Sequence, residues 1–246
     1  MGRSDVVYTV LVGILVASVG CASPDTPEAS ADTQSADCHA LFDGQSLDGW
    51  HRIGAADFTA DNGMIVGRAM HGIPNSFLSS DESYGDFDLS LEFNVDEAFN
   101  SGVQFRSAQA SDTLHFRHQA GSGGRFTQIT RPGRVWGYQA DIDPTPRGWT
   151  AHIYEEAGRG WLQTLAADAD TTLKLNPIDP GAWHTLRIRA EGDTMRTWLD
   201  HNPVATLVDT LRSDGFIALQ VHAVGSPEEA GKTVRFRSIS VCPIDT

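Results

Sequence analysis

Apolar and polar residues alternate with a period of two along much of the chain after residue 38. The clearest run is 86–94, where Phe87, Leu89, Leu91 and Phe93 fall on one side and Asp88, Ser90 and Glu92 on the other. Successive side chains of an extended strand point to opposite faces, so this run predicts a strand with one buried and one polar face. Residues 101–106 repeat the pattern, with Val103 and Phe105 inward and Gln104 and Arg106 outward; 138–142 and 217–222 do so again. Residues 183–189 and 194–199 predict a hairpin joined through Glu191-Gly192-Asp193. Asp200-His201-Asn202-Pro203 then predicts a turn into a strand over 204–208, and 234–241 supplies a closing strand. Short strands punctuated by Gly, Asp, Asn and Pro, with no internal repeat and no long amphipathic helix, predict an all-β sandwich or barrel. Residues 110–134 are Gly-rich without a clean period and predict a long irregular loop over the polar face.

The first 37 residues follow a different pattern. An apolar run over 6–19 follows Arg3 and Asp5 and precedes Gly20-Cys21. It is shorter than the about 20 apolar residues of a membrane span and suits the core of a secretory signal. Ser18-Val19-Gly20-Cys21 resembles a bacterial lipobox, with Ser18 where leucine is usual. The expectation is a signal peptide over 1–20, a lipidated Cys21 opening a flexible Ala/Ser/Thr/Pro/Asp tether through 37, and one domain over 38–246. This places the domain outside the cytoplasm at a bacterial cell envelope, held to the membrane by its lipid; simple secretion and a retained anchor are the alternatives. A net charge of −14 without a basic stripe argues against nucleic acid and is compatible with neutral sugars. Cys38 and Cys242 flank the domain and are either a disulfide or two thiols, depending on a separation the sequence does not show.

Several short motifs carry a resemblance. They begin with Leu41-Phe42-Asp43-Gly44, Leu47-Asp48-Gly49-Trp50 and Asp61-Asn62-Gly63-Met64-Ile65-Val66-Gly67. Tyr84-Gly85-Asp86-Phe87, Leu91-Glu92-Phe93 and Asn100-Ser101-Gly102-Val103-Gln104-Phe105-Arg106-Ser107 follow. The later ones are Gly137-Tyr138-Gln139-Ala140-Asp141-Ile142, Ile153-Tyr154-Glu155-Glu156, Trp198-Leu199-Asp200, Ala218-Leu219-Gln220-Val221-His222 and Val234-Arg235-Phe236-Arg237. In this order they resemble the 3-keto-disaccharide hydrolase domain family across nearly the whole of 38–246. The resemblance implies an all-β, concanavalin-like jelly-roll sandwich of two antiparallel sheets and a glycoside-related substrate. One departure is Asp200-His201-Asn202, where the family often has Asn-Gly, which predicts a lengthened or strained hairpin.

A 3-keto sugar has an acidified hydrogen on C2, so a base can remove it, the enolate can expel the C1 oxygen, and water can add back. Ordinary hydrolysis would instead use two carboxylates, about 5–5.5 Å apart for retention. Glu92, Asp141 and His222 are the catalytic candidates. His222 leads because imidazole titrates near neutrality and shares its side of the strand with Gln220. Glu92 reads as a base, a metal ligand or a paired surface carboxylate, and Asp141 as a sugar ligand or the cap of the following turn. Arg106 reads as a clamp on the ketone or a structural ion pair. Gln104, Tyr138, Gln139, Gln220, Tyr154, Glu155 and Glu156 are further substrate-binding candidates, and Trp136 and Trp149 are candidates for sugar stacking. His115 and His118, three apart in a strand, point to opposite faces. A divalent metal on acids and histidine is a further option without a zinc-like spacing behind it. The leading expectation is a glycoside-cleaving enzyme acting on a carbohydrate; a non-catalytic carbohydrate-binding module and a protein-binding domain are the alternatives.

Overall fold

The computed structural model describes residues 38–119, 125–162 and 175–244. The expected signal peptide (1–20), Cys21 and the tether (21–37), and the side chain of His118, lie outside the described residues. Two antiparallel sheets make up the domain. The first contains β3 (Asp57–Asp61), β4 (Met64–Arg68), β6 (Phe87–Val95), β13 (His184–Glu191), β14 (Thr194–Leu199), β15 (Asn202–Val208) and β17 (Thr233–Pro243). Their order is β15-β14-β13-β6-β17-β4-β3, with β1 (His39–Ala40) also on β17. The second contains β2 (Trp50–Ile53), β5 (Ser76–Tyr84), β7 (Ser101–Gln109), β10 (Val135–Ile142), β11 (Ile153–Glu156), β12 (Gly160–Trp161) and β16 (Gly215–Val221), in the order β12-β11-β10-β7-β16-β5-β2. The two-sheet all-β architecture agrees with the sequence reading.

The alternating residues build the core. Phe87, Leu89, Leu91 and Phe93 of β6 are buried, as are Val103 and Phe105 of β7. The Phe87 and Phe105 rings meet edge to face at 6.4 Å across the gap between the sheets. Each such side chain contributes about 1.5–3 kcal/mol by leaving water. Cys38 and Cys242, 204 residues apart, are joined by a disulfide that ties the segment before β1 to β17.

Three local expectations need correction. Residues 110–134 contain a regular hairpin, β8 (Leu114–Gln119) paired with β9 (Arg125–Thr130). Its alternation is masked in the sequence by polar residues on both faces. The Asp200-His201 turn is not lengthened, since Leu199 pairs directly with Asn202, but it is strained as expected: the two turn residues adopt φ of 47° and 67°. Such left-handed values normally favour Asn or Gly, but the Asp200 carboxylate accepts the Thr185 backbone N–H at 2.8 Å and holds the turn. Pro203 is tolerated because β15 lies at a sheet edge.

The third correction moves a candidate residue. Across β7, Ser107 and Gln104 pair with Phe216 and Ala218 on one side, and Ala108 and Phe105 pair with Trp136 and Tyr138 on the other. One residue of β7 is therefore extra against both neighbours, and Arg106, with φ of 42°, bears the positive dihedral of the bulge. The bulge turns Arg106 away from the side it would share with Gln104. Its guanidinium, 1% exposed, donates to the Gly85 and Gly192 carbonyls at 2.8 and 2.7 Å and to Asp86 at 2.7 Å. Arg106 thus fastens two turns together.

Candidate functional site

The second sheet has one face on the core and a second, polar face. Strand pairing places side chains along that polar face in a row: Trp161 on β12 beside Tyr154 on β11, then Gln139 on β10, Gln104 on β7 and Ala218 on β16. Gln220 and Phe77 form a neighbouring cross-strand pair, and His222 follows just past the end of β16. Over this face lies a cavity of about 380 Å³, within the size range of small-molecule sites. Gln139, Tyr154, Glu156, Gln220 and His222 line it together with Asn75, Arg134, Arg147 and Trp161.

A chain of amides forms the floor. The Ser107 hydroxyl donates to Gln104 Oε1 at 2.7 Å, Gln104 Nε2 donates to Gln139 Oε1 at 2.6 Å, and Gln139 Nε2 donates to Asp141 Oδ1 at 3.1 Å. Gly102 makes this possible, since a Cβ there would stand 2.4 Å from the Gln139 amide carbon. Gln104 and Asp141 therefore sit beneath the cavity and orient a side chain that lines it. Burial, reinforced by the neighbouring Asp143 charge, pushes the Asp141 carboxyl up to about 7. Asn100, Arg147 and Gln139 oppose that rise.

Gln220 is different. It is fully buried, and among the described residues neither its amide nitrogen nor its amide oxygen has a hydrogen-bond partner. A buried polar group left unpaired costs about 1–3 kcal/mol, and such groups are rare in folded proteins. Its position in the lining puts this unpaired amide at the wall of the cavity.

The neighbouring ionisable groups are also arranged for a guest. His222 Nδ1 lies 2.7 Å from the Ala223 carbonyl oxygen, which only accepts, so Nδ1 carries the proton. In the neutral ring Nε2 is then a lone pair. Glu156, 6% exposed, accepts from Asn75 Nδ2 at 3.2 Å and has the Arg134 guanidinium 3.5 Å away. Burial pushes its carboxyl up, against the pull of Asn75, Arg134 and His222. Arg147 holds Asp143 at 2.6 Å and stands 3.6 Å from Asp141. It also lies over the rings of Trp149 and Trp161, at 4.8 and 5.2 Å. Two cations thus border the cavity without being fully consumed by the acids beside it.

The remaining sequence candidates lie elsewhere. Glu92 is on the first sheet, where Arg237 donates to it at 3.0 and 3.2 Å and Ser238 at 2.9 Å; these contacts hold its carboxyl below the usual range. Alternation assigned it an outward side but not a sheet. Tyr138 and Glu155 pair with each other and point opposite to Gln139, Tyr154 and Glu156. The Tyr138 hydroxyl donates to Asp209, and Arg159 bridges Asp209 and Glu155, so this group stabilises the edge of the core. Trp136 packs on Phe116 at 5.5 Å and under Arg212 at 4.7 Å. Trp149 contacts Trp161 edge to face at 4.8 Å, and it is Trp161 that reaches the lining. Among the described residues no group of three His, Cys, Asp or Glu side chains is arranged to hold a metal ion.

Asn75, Arg134, Arg147 and Trp161 were not singled out from the sequence. A signal was present for the arginines: they bracket β10, the strand carrying Gln139, in a chain with only 18 basic residues against 32 acidic ones.

Known structures share the sandwich. A candidate glycosyl hydrolase from Parabacteroides distasonis superposes with a TM-score of 0.53 at 14% identity, covering 85% of this chain and 94% of that one. A Bacillus subtilis protein with a galectin-like fold gives 0.56 at 9% identity, with 85% and 95% covered. At such identities the likeness establishes the fold alone. No curated protein matches the chain significantly. Residues 37–242 do match the 3-keto-alpha-glucoside-1,2-lyase-like domain, and over this span, most of its length, the chain belongs to that carbohydrate-related family.

Proposed function

We propose that the protein cleaves 3-keto-glycosides by elimination across C1 and C2, in the cavity over the second sheet. His222 Nε2 takes the C2 proton, and the C–H electron pair moves into the enolate of the C3 ketone. The enolate then re-forms the carbonyl, makes the C1–C2 double bond and expels the C1 oxygen, which leaves as an alcohol after protonation. Arg134 and Arg147 supply positive charge for the enolate oxygen, the term that lowers such barriers most. Glu156, its carboxyl raised by burial, starts protonated and gives its proton to the leaving oxygen, and the carboxylate left behind balances the imidazolium formed on His222. Gln139 and Gln220 bind hydroxyls, and Tyr154 with Trp161 offers the aromatic wall on which sugar rings pack. Water can add to the unsaturated product afterwards, giving net hydrolysis.

The observation that carries this reading is the unpaired Gln220 amide buried in the same lining as His222. The test is incubation of the purified protein with a 3-keto-glucoside and its unoxidised counterpart. Release of the alcohol from the keto sugar alone, with an unsaturated sugar as first product, is expected. Release from both at equal rates would replace elimination by ordinary hydrolysis. A binding-only role on the same face is favoured by one feature, the amide chain from Ser107 to Asp141, which needs no chemistry to be useful. Sugar binding without alcohol release from either compound would establish that role instead.

The setting we propose is extracytoplasmic, with a lipid on Cys21 as the membrane anchor. Its support is the Cys38–Cys242 disulfide, a bond that persists in oxidising compartments. Metabolic lipid labelling lost in Cys21→Ser is the expected result; labelling retained in that variant would remove the anchor.

A further inference from the structure

We infer that the site has a second compartment for an apolar leaving group, so that its substrates are keto-glycosides of hydrophobic alcohols rather than disaccharides. This inference rests on the proposed reaction and specifies its substrate class. A second cavity of about 440 Å³ adjoins the first and shares Gln128, Arg134 and Ala157 with it. Its other walls differ in kind: Ile129, Thr130, Arg131 and Pro132 replace the acids, the imidazole and the Gln139 and Gln220 amides, and most of the surface they expose is apolar where that of the first cavity is polar. Ile129 is 53% exposed, one of few large apolar side chains so placed. It sits on β9, next to Thr130, whose hydroxyl donates to the Ala157 carbonyl and so fixes the strand against the shared wall.

The occupant follows from continuity. A glycoside is a polar ring joined through one oxygen to a second group. The paired cavities present a polar chamber and a more apolar one, with Arg134 on the boundary between them. A second sugar in the outer chamber would find partners at Gln128 and Arg131 but would also press hydroxyls against Ile129 and Pro132, which cannot bond to them, and would lose that share of its water without return. An alkyl or aryl group there removes Ile129 and itself from water together.

The experiment compares three 3-keto-glucosides with the intact chain: methyl, cyclohexylmethyl and glucosyl. The first two leave as simple alcohols of similar acidity, so leaving ability does not separate them. The cyclohexylmethyl compound is expected to be cleaved with about tenfold higher kcat/KM than the methyl one, carried mainly by KM. In Ile129→Ser the ratio between them is expected to fall towards one. A wild-type ratio near one, a ratio unchanged in Ile129→Ser, or a preference for the glucosyl compound would each overturn the inference. Calorimetric binding of the corresponding unoxidised glycosides separates its failure from failure of the reaction. With no turnover of any compound, an Ile129-dependent preference for cyclohexylmethyl still supports the apolar compartment while the lyase reading falls. Equal binding of methyl and cyclohexylmethyl overturns the compartment as well.

Discussion

Glu92 and Glu156 are both glutamates on strands that present a polar side, yet their surroundings differ in every respect that matters. Glu92 belongs to a face where charges answer one another at short range: Arg237 at 3.0 Å, and nearby Asp88 with Arg187 at 2.5 Å and Asp96 with Arg235 at 3.2 Å. Arg237 lies 3.9 Å from the centre of the Trp183 ring, which covers it further. Glu156 is nearly inaccessible, its arginine stands 3.5 Å away, and burial raises rather than lowers its carboxyl. The first face is complete in itself, whereas the second holds its hydrogen-bonding capacity in reserve, with Gln220 the extreme case. Polarity alone therefore says little about function; unspent polarity says more.

Four experiments probe this contrast. The largest effect is expected from His222→Ala, which should lower turnover of a 3-keto-glucoside at least about 100-fold, as removal of a general base does. Its melting temperature should change little, because His222 is only half-buried. Full activity in that variant would move the chemistry elsewhere. Gln220→Leu should weaken sugar binding about tenfold yet stabilise the fold by about 1–3 kcal/mol, since an unpaired buried amide is replaced by a group that needs no partner. Destabilisation in denaturant titration would mean that Gln220 already has a partner.

Asp141→Asn tests the raised acid through pH. The folded protein keeps this proton to about pH 7, while the unfolded chain releases it near about 4. The native state therefore binds more protons between these values, and stability falls as pH rises through the window. Asp141→Asn should flatten that fall, with the difference confined to the same window; identical pH profiles would show that Asp141 titrates normally. The smallest effect is expected from Glu92→Ala. Breaking a partly exposed ion pair should cost at most about 1 kcal/mol, and turnover should stay within experimental error. A large loss of activity would erase the distinction between the faces.

Much of the sandwich was legible because β6 alternates without interruption and the motifs fall in order along the domain. Five candidates, Gln139, Tyr154, Glu156, Gln220 and His222, lie in one cavity because each keeps strict parity on neighbouring strands of one sheet. Parity also explains the misplacements. It tells which side of a strand a residue takes but not which sheet the strand joins, and so Glu92 was grouped with residues of the other sheet. A bulge resets parity locally, which is how Arg106 left the face of Gln104. Tyr138 and Glu155 sit one position from Gln139 and Glu156, and a period of two cannot give all four to one side. Arg134 and Arg147 reach the cavity from turns, where no periodicity marks a direction.

The disulfide has a mechanical consequence. Cys242 lies in β17, which at this end is hydrogen-bonded to β6 on one side and to β1 on the other, and nearer its start to β4. A pull on the chain ahead of Cys38 is therefore passed to β17 itself and not to the two residues of β1 alone. The strands beneath the cavity belong to the other sheet, and the bond fastens none of them.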